Sequence, residues 1–395
     1  MDIKITPSKL SGELSAVSSK SDAHRKIIAS ALANTPTFIE ITEYSKDIDA
    51  TLGAIKALGG DFEKREKGVL ITPCKNSKNA VIDCNESGST ARFLLPVSAA
   101  LCESATLTGR GRLPERPFSH LVREMRKNGC SVSSENLPIT VSGGLNGGRY
   151  TLSGNVSSQY ITGLMFALPL LDKESEIVLS SPLESSGYVD MTISTLAEFG
   201  VNIIKEENRF IVKPQKYISK EMVAVEGDWS NGAFWIVADK LCGNLQISGL
   251  NPESVQGDKE IANILDDEVI DASQIPDLVP ILTILACGRC GKTHIINAGR
   301  LRLKESDRLA AMVDVITSLG GEAYADSDSI TICGSGSLKG GKVDGYNDHR
   351  IVMSATIASC ICKNDVIITG AEAVNKSYPT FFEDFKKAGG VFRVI

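Results

Sequence analysis

The chain is 395 residues long, 42% of them hydrophobic and 23% charged, and it carries a formal net charge of −6. That length exceeds one typical hydrophobic core and predicts two domains. The negative charge argues against nucleic acid or an anionic membrane as a partner, and the longest apolar stretch, LVPILTILACG, is too short to cross a bilayer. The first residues, MDIKITPSKLSG, have no basic segment followed by an apolar one, so we expect a cytoplasmic protein.

One structural unit recurs along the sequence: an amphipathic helix end, a glycine, and two short strands around a charged turn. The glycines are Gly59, Gly129, Gly200, Gly320 and Gly389. Three of the intervals between them are about 70 residues and one is nearly double, so we expect a degraded sixth copy near KEIANILDDEVIDASQ. Six copies in two domains predict three copies in each, with the break near KPQKYISKEMVAVEGDWSNGAFW.

Polar residues precede apolar helices at several points. In SSKSDAHRK, two cations, Lys20 and Arg25, lie at the start of a predicted helix, where the macrodipole disfavours positive charge. This placement indicates a bound anion, and the alternative is an exposed loop with solvated basic side chains. In NESGSTARF, residues 87–90 would present backbone N–H groups to an anion with little side-chain bulk. The alternative there is an ordinary helix cap.

Four later helix starts have the same character. SSQY places Ser157, Ser158 and Gln159 before ITGLMFALPLL. Asp277 precedes the most apolar segment, either as a helix cap or as a desolvated catalytic carboxylate. In GRLRLKESDRL, Glu305 and Arg308 share a helical face, although such a string is usually a solvated helix start with ion pairs. YNDHR precedes IVMSATIASCIC. Helix starts of this kind, aimed at one cleft between domains, would bind multiply charged anions.

The ten cysteines do not predict disulfides in a chain of this length and composition. Cys287 and Cys290 have C-x-x-C spacing, but no second pair or histidine cluster accompanies them. We therefore expect buried free thiols at both positions and no structural metal.

Taken together, the motifs KSDAHR, ESGSTAR, RGRLPERP, SSQY, IPD, LKESDRL and NDHR resemble, in order and spacing, the 5-enolpyruvylshikimate-3-phosphate synthase family of enolpyruvyl transferases. The resemblance covers essentially the whole chain. It implies an α/β fold of two inside-out domains, each with three βαβαββ repeats, helices inside and sheets outside. The first domain would comprise residues 1–19 and 228–395, and the second residues 20–227, with the active site in the cleft between them.

The resemblance also implies a reaction. The enolpyruvyl group of phosphoenolpyruvate would pass to the 5-hydroxyl of shikimate 3-phosphate through a tetrahedral ketal, with release of phosphate. This chemistry needs acid and base groups on both sides of the reacting carbons and cations for the phosphates and carboxylates. It implies a monomer that acts on two small-molecule substrates without a cofactor.

Site residues follow from the same resemblance by their match to the family motifs. The catalytic residues would be Lys20, Asp277 and Glu305. The phosphoenolpyruvate contacts would be Lys20, Gly88, Arg116, Gln159, Arg308, Arg350 and Lys376. The shikimate 3-phosphate contacts would be Ser21, Arg25, Ser157, Ser158, Gln159, Ser185, Asp277 and Lys304. The sequence departs from the family at Glu86 and Ser87, where Asn and Ala are common, and at Arg300, where the family usually has an asparagine.

Two alternatives to this function differ from it by identifiable residues. A UDP-N-acetylglucosamine enolpyruvyl transferase would share the fold but have a reactive cysteine near GRGRLPERP, and no cysteine lies between Cys102 and Cys130. A catalytically silent repeat scaffold would lack Lys20, Asp277 or Glu305, and all three are present.

Overall fold

The structure, a computed structural model, describes residues 1–75 and 77–395. The helices are α1 (Lys20–Leu32), α2 (Lys46–Ala57), α3 (Gly88–Leu101), α4 (Ser119–Lys127), α5 (Ser158–Ala167), α6 (Ser186–Glu198), α7 (Trp229–Cys242), α8 (Val279–Cys287), α9 (Arg308–Ser318), α10 (His349–Ala358) and α11 (Phe381–Lys387). The strands are β1 (Ile3–Thr6), β2 (Ser11–Ser15), β3 (Thr37–Glu40), β4 (Asp61–Arg65), β5 (Gly68–Thr72), β6 (Ser77–Asp83), β7 (Cys102–Thr108), β8 (Ser131–Val132), β9 (Ile139–Ser142), β10 (Arg149–Leu152), β11 (Ser175–Leu179), β12 (Ile203–Lys205), β13 (Arg209–Val212), β14 (Met222–Ala224), β15 (Asn244–Ser248), β16 (Val269–Asp271), β17 (Cys290–Ile296), β18 (Glu322–Ala325), β19 (Ile330–Ser335), β20 (Gly341–Asp344), β21 (Val366–Thr369) and β22 (Val391–Val394).

The chain forms two compact units, one of residues 1–19 and 226–395 and the other of residues 20–225. Each unit has its own hydrophobic core. No helix in the described part of the chain is long and apolar enough to cross a membrane.

The unit of residues 20–225 contains three four-stranded sheets, ordered β14-β3-β5-β4, β6-β7-β9-β8 and β10-β11-β13-β12. In each sheet, two parallel strands are joined to an antiparallel hairpin, and helices lie between the strands along the chain. In the first sheet the opening strand is β14, from the far end of the unit, with Met222 opposite Phe38. Most residues of α1, α3 and α5 are buried, whereas β6 has an exposed face, so helices form the interior and sheets the outside.

The other unit contains the four-stranded sheets β16-β17-β19-β18 and β20-β21-β1-β22 and the two-stranded sheet β15-β2. In the two-stranded sheet β15 is parallel to β2, and α7 directly precedes β15 along the chain. The segment predicted to hold a degraded sixth copy, residues 259–274, contains most of the 3₁₀ helix Gly257–Ala262 and the strand β16, which pairs with β17 and forms no hairpin of its own. Three consecutive acidic residues, Asp266 to Glu268, interrupt the apolar alternation that a half-buried hairpin requires.

The five predicted glycine stops are confirmed. Gly59, Gly129, Gly200, Gly320 and Gly389 have φ between +79° and +94°, the left-handed region in which a glycine ends a helix without steric cost. A strand follows each of them: it begins a hairpin after the first four, whereas β22, after Gly389, pairs with β1.

The cysteines of the described residues are free. Cys287 is buried, as predicted, but the prediction was wrong for Cys290, which is exposed. Cys290 begins β17, whose first three residues are all exposed, so the strand emerges into solvent before it reaches the core.

Candidate active site

Lys20 is the first residue of α1 and forms an ion pair with Asp47 of α2, with Nζ and Oδ2 2.8 Å apart. Both side chains are largely buried, at 15% and 13% exposure. The carboxylate compensates the unfavourable position of a cation at a helix start. Sequence reasoning missed Asp47, because an acid in the first turn of α2 is already explained by that helix's own dipole.

Arg25 lies one turn further along α1 and is 2% exposed, so the alternative of an exposed basic loop was wrong. Its Nε donates to Thr192 Oγ1 at 2.9 Å and its Nη2 to the Tyr188 carbonyl at 2.8 Å, both on α6. Its Nη1 donates to the Ser21 carbonyl at 2.6 Å. Burial lowers the pKa of Arg25 to about 10, which leaves the guanidinium charged at neutral pH.

The start of α3 is both a cap and a cation site. Ser87 is the N-cap, and its Oγ accepts a hydrogen bond from Thr90 N at 3.2 Å. A Cβ atom built on Gly88 would lie 2.8 Å from Arg116 Nη1 and 3.0 Å from Arg92 Nη1. A side chain at this position would have to displace both guanidinium groups, so glycine allows them to lie beside the start of α3.

Gln159, at the start of α5, connects that helix to the start of α3. Its Nε2 donates to Ser89 Oγ at 3.0 Å, and its Oε1 accepts from Arg92 Nη1 at 2.7 Å. Ser157 is the N-cap of α5, with its Oγ accepting from Gln159 N at 3.3 Å. The structure thus joins the position of Gly88 to Gln159 through Arg92 and places Arg116 beside Gly88; Arg92 was not among the predicted site residues.

Ser158 and Ser185 are also buried at helix starts, with 7% and 2% exposure. Ser158 is the first residue of α5. Ser185 is the N-cap position of α6 and has a left-handed backbone, with φ +54°. Its side chain does not cap the helix by a hydrogen bond.

In the unit of residues 1–19 and 226–395, Arg308 is the centre of a buried charge cluster. It begins α9, is 1% exposed, and lies 2.8 Å from carboxylate oxygens of Asp277, Glu305 and Asp348. The structure therefore places Asp277 and Glu305, the two predicted catalytic carboxylates, on one guanidinium group.

Asp277 meets two further cations. Lys304 Nζ lies 3.4 Å from its Oδ1, and Arg350 Nη2 lies 3.6 Å from its Oδ2. The helix-cap alternative for Asp277 was wrong: it lies in the 3₁₀ helix Pro276–Leu278, and Leu278 is the N-cap of α8. The solvated alternative for the GRLRLKESDRL segment was wrong at Arg308 because that side chain is buried.

Burial and neighbouring charges shift the pKa values of this cluster. Burial disfavours the charge on Arg308, but Asp348, Glu305 and Asp277 outweigh it and raise the pKa above its ordinary value. Burial lowers the pKa of Lys304, and Asp277 opposes that shift. Burial and the nearby Asp277 carboxylate raise the pKa of Asp258 to about 6. Carboxylates and cations held in this way are suited to proton transfer.

Lys376 and Arg300 lie in the same unit. Lys376 is 6% exposed and donates from Nζ to the Asn347 carbonyl at 2.6 Å. Arg300 donates from Nη2 to the Ser273 carbonyl at 2.8 Å. No group of three or more metal-ligating side chains occurs among the described residues.

The repeated βαβαββ units, the cation-lined helix starts and the buried carboxylates define an enzyme that handles protons on small anionic substrates. Comparison with known proteins agrees with this class. The family model described as EPSP synthase (3-phosphoshikimate 1-carboxyvinyltransferase) matches residues 5–269 and 267–385. The chain belongs to the EPSP synthase family.

Relatives and solved structures similar to this chain cover it almost completely. The 3-phosphoshikimate 1-carboxyvinyltransferase of Clostridium novyi is 42% identical over 99% of this chain and 98% of its own length. That of Clostridioides difficile is 40% identical over 98% and 97%. The structure of EPSP synthase from Acinetobacter baumannii, 24% identical, has a TM-score of 0.83 and covers 99% of both chains, which shows the same fold.

Proposed function

We propose that the chain transfers the enolpyruvyl group of phosphoenolpyruvate to the 5-hydroxyl of shikimate 3-phosphate and releases phosphate. Two relatives named 3-phosphoshikimate 1-carboxyvinyltransferase, at 42% and 40% identity, support this reaction. The observation that carries the proposal is the placement of Asp277 and Glu305, each 2.8 Å from a nitrogen of the buried Arg308. Full-length similarity to these relatives favours this function over a UDP-N-acetylglucosamine transferase.

The first half of the reaction needs a base for the attacking hydroxyl and an acid for C3 of phosphoenolpyruvate. We assign the hydroxyl proton to Asp277 and the C3 proton to Glu305 and Lys20. Arg308, Lys304 and Arg350 lie 2.8, 3.4 and 3.6 Å from oxygens of the Asp277 carboxylate and fix its orientation. The tetrahedral ketal that forms then collapses by the reverse proton movements, with the same groups exchanging roles.

The substrates carry two phosphates and two carboxylates, which require several cations. We assign phosphoenolpyruvate to Lys20, Gly88, Arg116, Gln159, Arg308, Arg350 and Lys376. We assign shikimate 3-phosphate to Ser21, Arg25, Ser157, Ser158, Gln159, Ser185, Asp277 and Lys304. Guanidinium groups suit this task because they bind carboxylate and phosphate oxygens through paired N–H donors.

We further propose that the chain has two domains, residues 1–19 with 228–395 and residues 20–227, and that both contribute to the same two substrates. The two compact units, which divide at residues 19/20 and 225/226, support this organisation. The enzyme would act as a cytoplasmic monomer on small molecules, without a cofactor, metal, nucleic acid or membrane.

The test is phosphate release by the purified chain with each substrate alone and with both together. We expect release only with both, and a product whose mass is that of shikimate 3-phosphate with one hydrogen replaced by the enolpyruvyl group. Substitution of UDP-N-acetylglucosamine for shikimate 3-phosphate should abolish release. Release with the nucleotide sugar, or none with either acceptor, would refute the proposal and favour one of the two alternatives.

A further inference from the structure

A series of short hydrogen bonds joins three helices in the unit of residues 20–225. His24 Nδ1 on α1 lies 2.7 Å from Thr51 Oγ1 on α2, which lies 2.7 Å from Thr90 Oγ1 on α3. Thr90 Oγ1 in turn donates to Ser87 Oγ at 2.7 Å. All four residues are completely buried. This series of hydrogen bonds therefore ends at Ser87, the N-cap of α3, directly before Gly88.

The direction of these hydrogen bonds follows from the single proton that each hydroxyl carries. Because Thr90 gives its hydrogen to Ser87, Thr51 must be the donor to Thr90. Thr51 also lies 3.5 Å from the Asp47 carbonyl, a distance too long to compete with 2.7 Å. Because the hydrogen of Thr51 is directed at Thr90, the Thr51 hydroxyl must accept the hydrogen bond that it shares with His24. The ring proton of His24 is therefore on Nδ1.

His24 is suited to remain a neutral donor in this direction. Burial, followed by the charges of Lys20 and Arg25, lowers the pKa of His24 well below its ordinary value. None of the described residues hydrogen bonds to its Nε2, and the ring packs edge-on against Phe93 at 6.5 Å. A second proton, on Nε2, would be buried without an acceptor, which is energetically unfavourable.

Ser87 is the last residue in this series of hydrogen bonds and differs from the other three residues in one respect. Its Oγ accepts two hydrogen bonds, from Thr90 N and from Thr90 Oγ1. Its own hydrogen is accepted by none of the residues that the structure describes. This hydrogen is at the start of α3, beside Gly88, which itself adjoins the guanidinium groups of Arg92 and Arg116.

We propose that Ser87 donates its hydroxyl hydrogen to phosphoenolpyruvate and that His24 is a positioning residue that fixes this direction through Thr51 and Thr90. The inference rests on the proposed function, which supplies the anion at this helix start. It assigns a role to Ser87, which departs from the alanine common in the family motif. His24 acts at a distance because each hydroxyl in the series has one hydrogen to donate, so the direction of one hydrogen bond determines the direction of the next.

The kinetic test compares Thr51→Val, which removes the donor, with Thr51→Ser, which keeps it. We expect Thr51→Val and Ser87→Ala each to raise the KM for phosphoenolpyruvate by about three- to tenfold, the effect of one hydrogen bond. The KM for shikimate 3-phosphate should not change, and Thr51→Ser should restore the value of the unsubstituted chain. Thr51→Val combined with Ser87→Ala should be no worse than Ser87→Ala alone.

Thr195→Val is the matched control, because Thr195 is a buried threonine of the same unit whose hydroxyl donates only to its own helix, at Met191 O. It should leave both KM values unchanged. Equal KM values for Thr51→Val and Thr51→Ser would overturn the inference, as would a rise of the same size with Thr195→Val.

A spectroscopic test is independent of turnover. The protein has four histidines, so ¹⁵N-histidine labelling gives few signals. The His24→Asn variant identifies which of them belongs to His24. We expect a neutral ring protonated at Nδ1 throughout pH 6–8. A proton on Nε2, or protonation of both nitrogens in that range, would overturn the inference. If this tautomer is found and the unsubstituted chain releases no phosphate, the proposed function is what has failed.

Discussion

Arg308 and Asp348 form a buried ion pair in which Nε and Oδ2 are 2.8 Å apart and the side chains are 1% and 0% exposed. The same carboxylate caps α10, by accepting from Arg350 N at 3.0 Å, and accepts from Ser306 Oγ at 3.0 Å. Asp348 therefore holds the start of α9 against the start of α10. Asp277 and Glu305 depend on this pair, because both bind the guanidinium that it orients.

Asp348→Asn should be strongly destabilising. It removes a negative charge from a buried pair and leaves Arg308 with less compensation, which costs about 3–5 kcal/mol. Urea unfolding measures this loss. The control is Asp49→Asn, which breaks the Lys64–Asp49 pair at 2.6 Å, where the side chains are 42% and 50% exposed. That variant should unfold at the same urea concentration as the unsubstituted chain. Equal losses in both variants would show that burial does not strengthen the Arg308 pair.

Glu305→Gln should lower turnover and affect binding little. The amide keeps the shape and can still accept from Arg308 Nη2, which lies 2.8 Å from Oε2, but it cannot exchange a proton. We expect kcat to fall by about a hundredfold or more, as for loss of a general acid–base group. The KM of each substrate should change much less. Steady-state kinetics with both substrates varied give these values, and a variant with unchanged kcat would show that Glu305 serves only as an ion-pair residue.

Gly88→Ala should weaken phosphoenolpyruvate binding. The methyl group would lie 2.8 Å from Arg116 Nη1 and 3.0 Å from Arg92 Nη1, so it must displace the flexible ends of these side chains. We expect the KM for phosphoenolpyruvate to rise by about tenfold, with little change for shikimate 3-phosphate. Gly53→Ala is the control, since a Cβ there meets nothing within 4 Å. If both KM values of Gly88→Ala stay unchanged, Gly88 does not face the donor site.

Asp258→Asn should alter the pH dependence of stability. Burial first, then the charges of Asp277 and Asp228, raise the pKa of Asp258 to about 6, while Arg350 and the Ser230 hydrogen bond oppose the shift. Protonation of Asp258 thus stabilises the folded chain fully below pH 4, and this contribution is lost as the pH rises through about 6. Relative to the unsubstituted chain, Asp258→Asn should gain about 1–3 kcal/mol between pH 4 and pH 7. Unfolding midpoints at both pH values test this, and a gain that is the same at both would contradict it.

Cys242 should be unusually reactive for a partly exposed thiol. A hydrogen bond from the Cys360 thiol, opposed by burial, lowers the pKa of Cys242 to about 7. Cys360→Ala removes that hydrogen bond and should slow alkylation of Cys242 at pH 7 by about tenfold. Peptide mapping by mass spectrometry after a timed iodoacetamide reaction measures the rate at Cys242 alone. Cys290→Ala is the control and should not change it; an unchanged rate with Cys360→Ala would refute the explanation.

Much of the fold could be predicted from the sequence because its signals are local. A glycine that ends a helix, such as Gly59 or Gly320, is recognisable from its neighbours, and its positive φ follows from the missing Cβ. The hairpins after these glycines follow from apolar alternation within a few residues. The pairing of β2 with β15 could not be predicted in this way, because Ser11 and Asn244 are far apart in the chain and no local pattern records it.

The sequence by itself determined the repeat, the helix starts and, through its motifs, the family and the candidate site residues. Only the tertiary structure decided what those residues do locally. A carboxylate at Asp277 has the same sequence signal whether it caps a helix or neutralises a cation, and its contact with Arg308 distinguishes the two. Lys20 contacts Asp47, and Arg308 contacts Asp348, although these pairs are 27 and 40 residues apart in the sequence. Such contacts depend on packing between helices and on the exclusion of water, which no single segment of the chain contains.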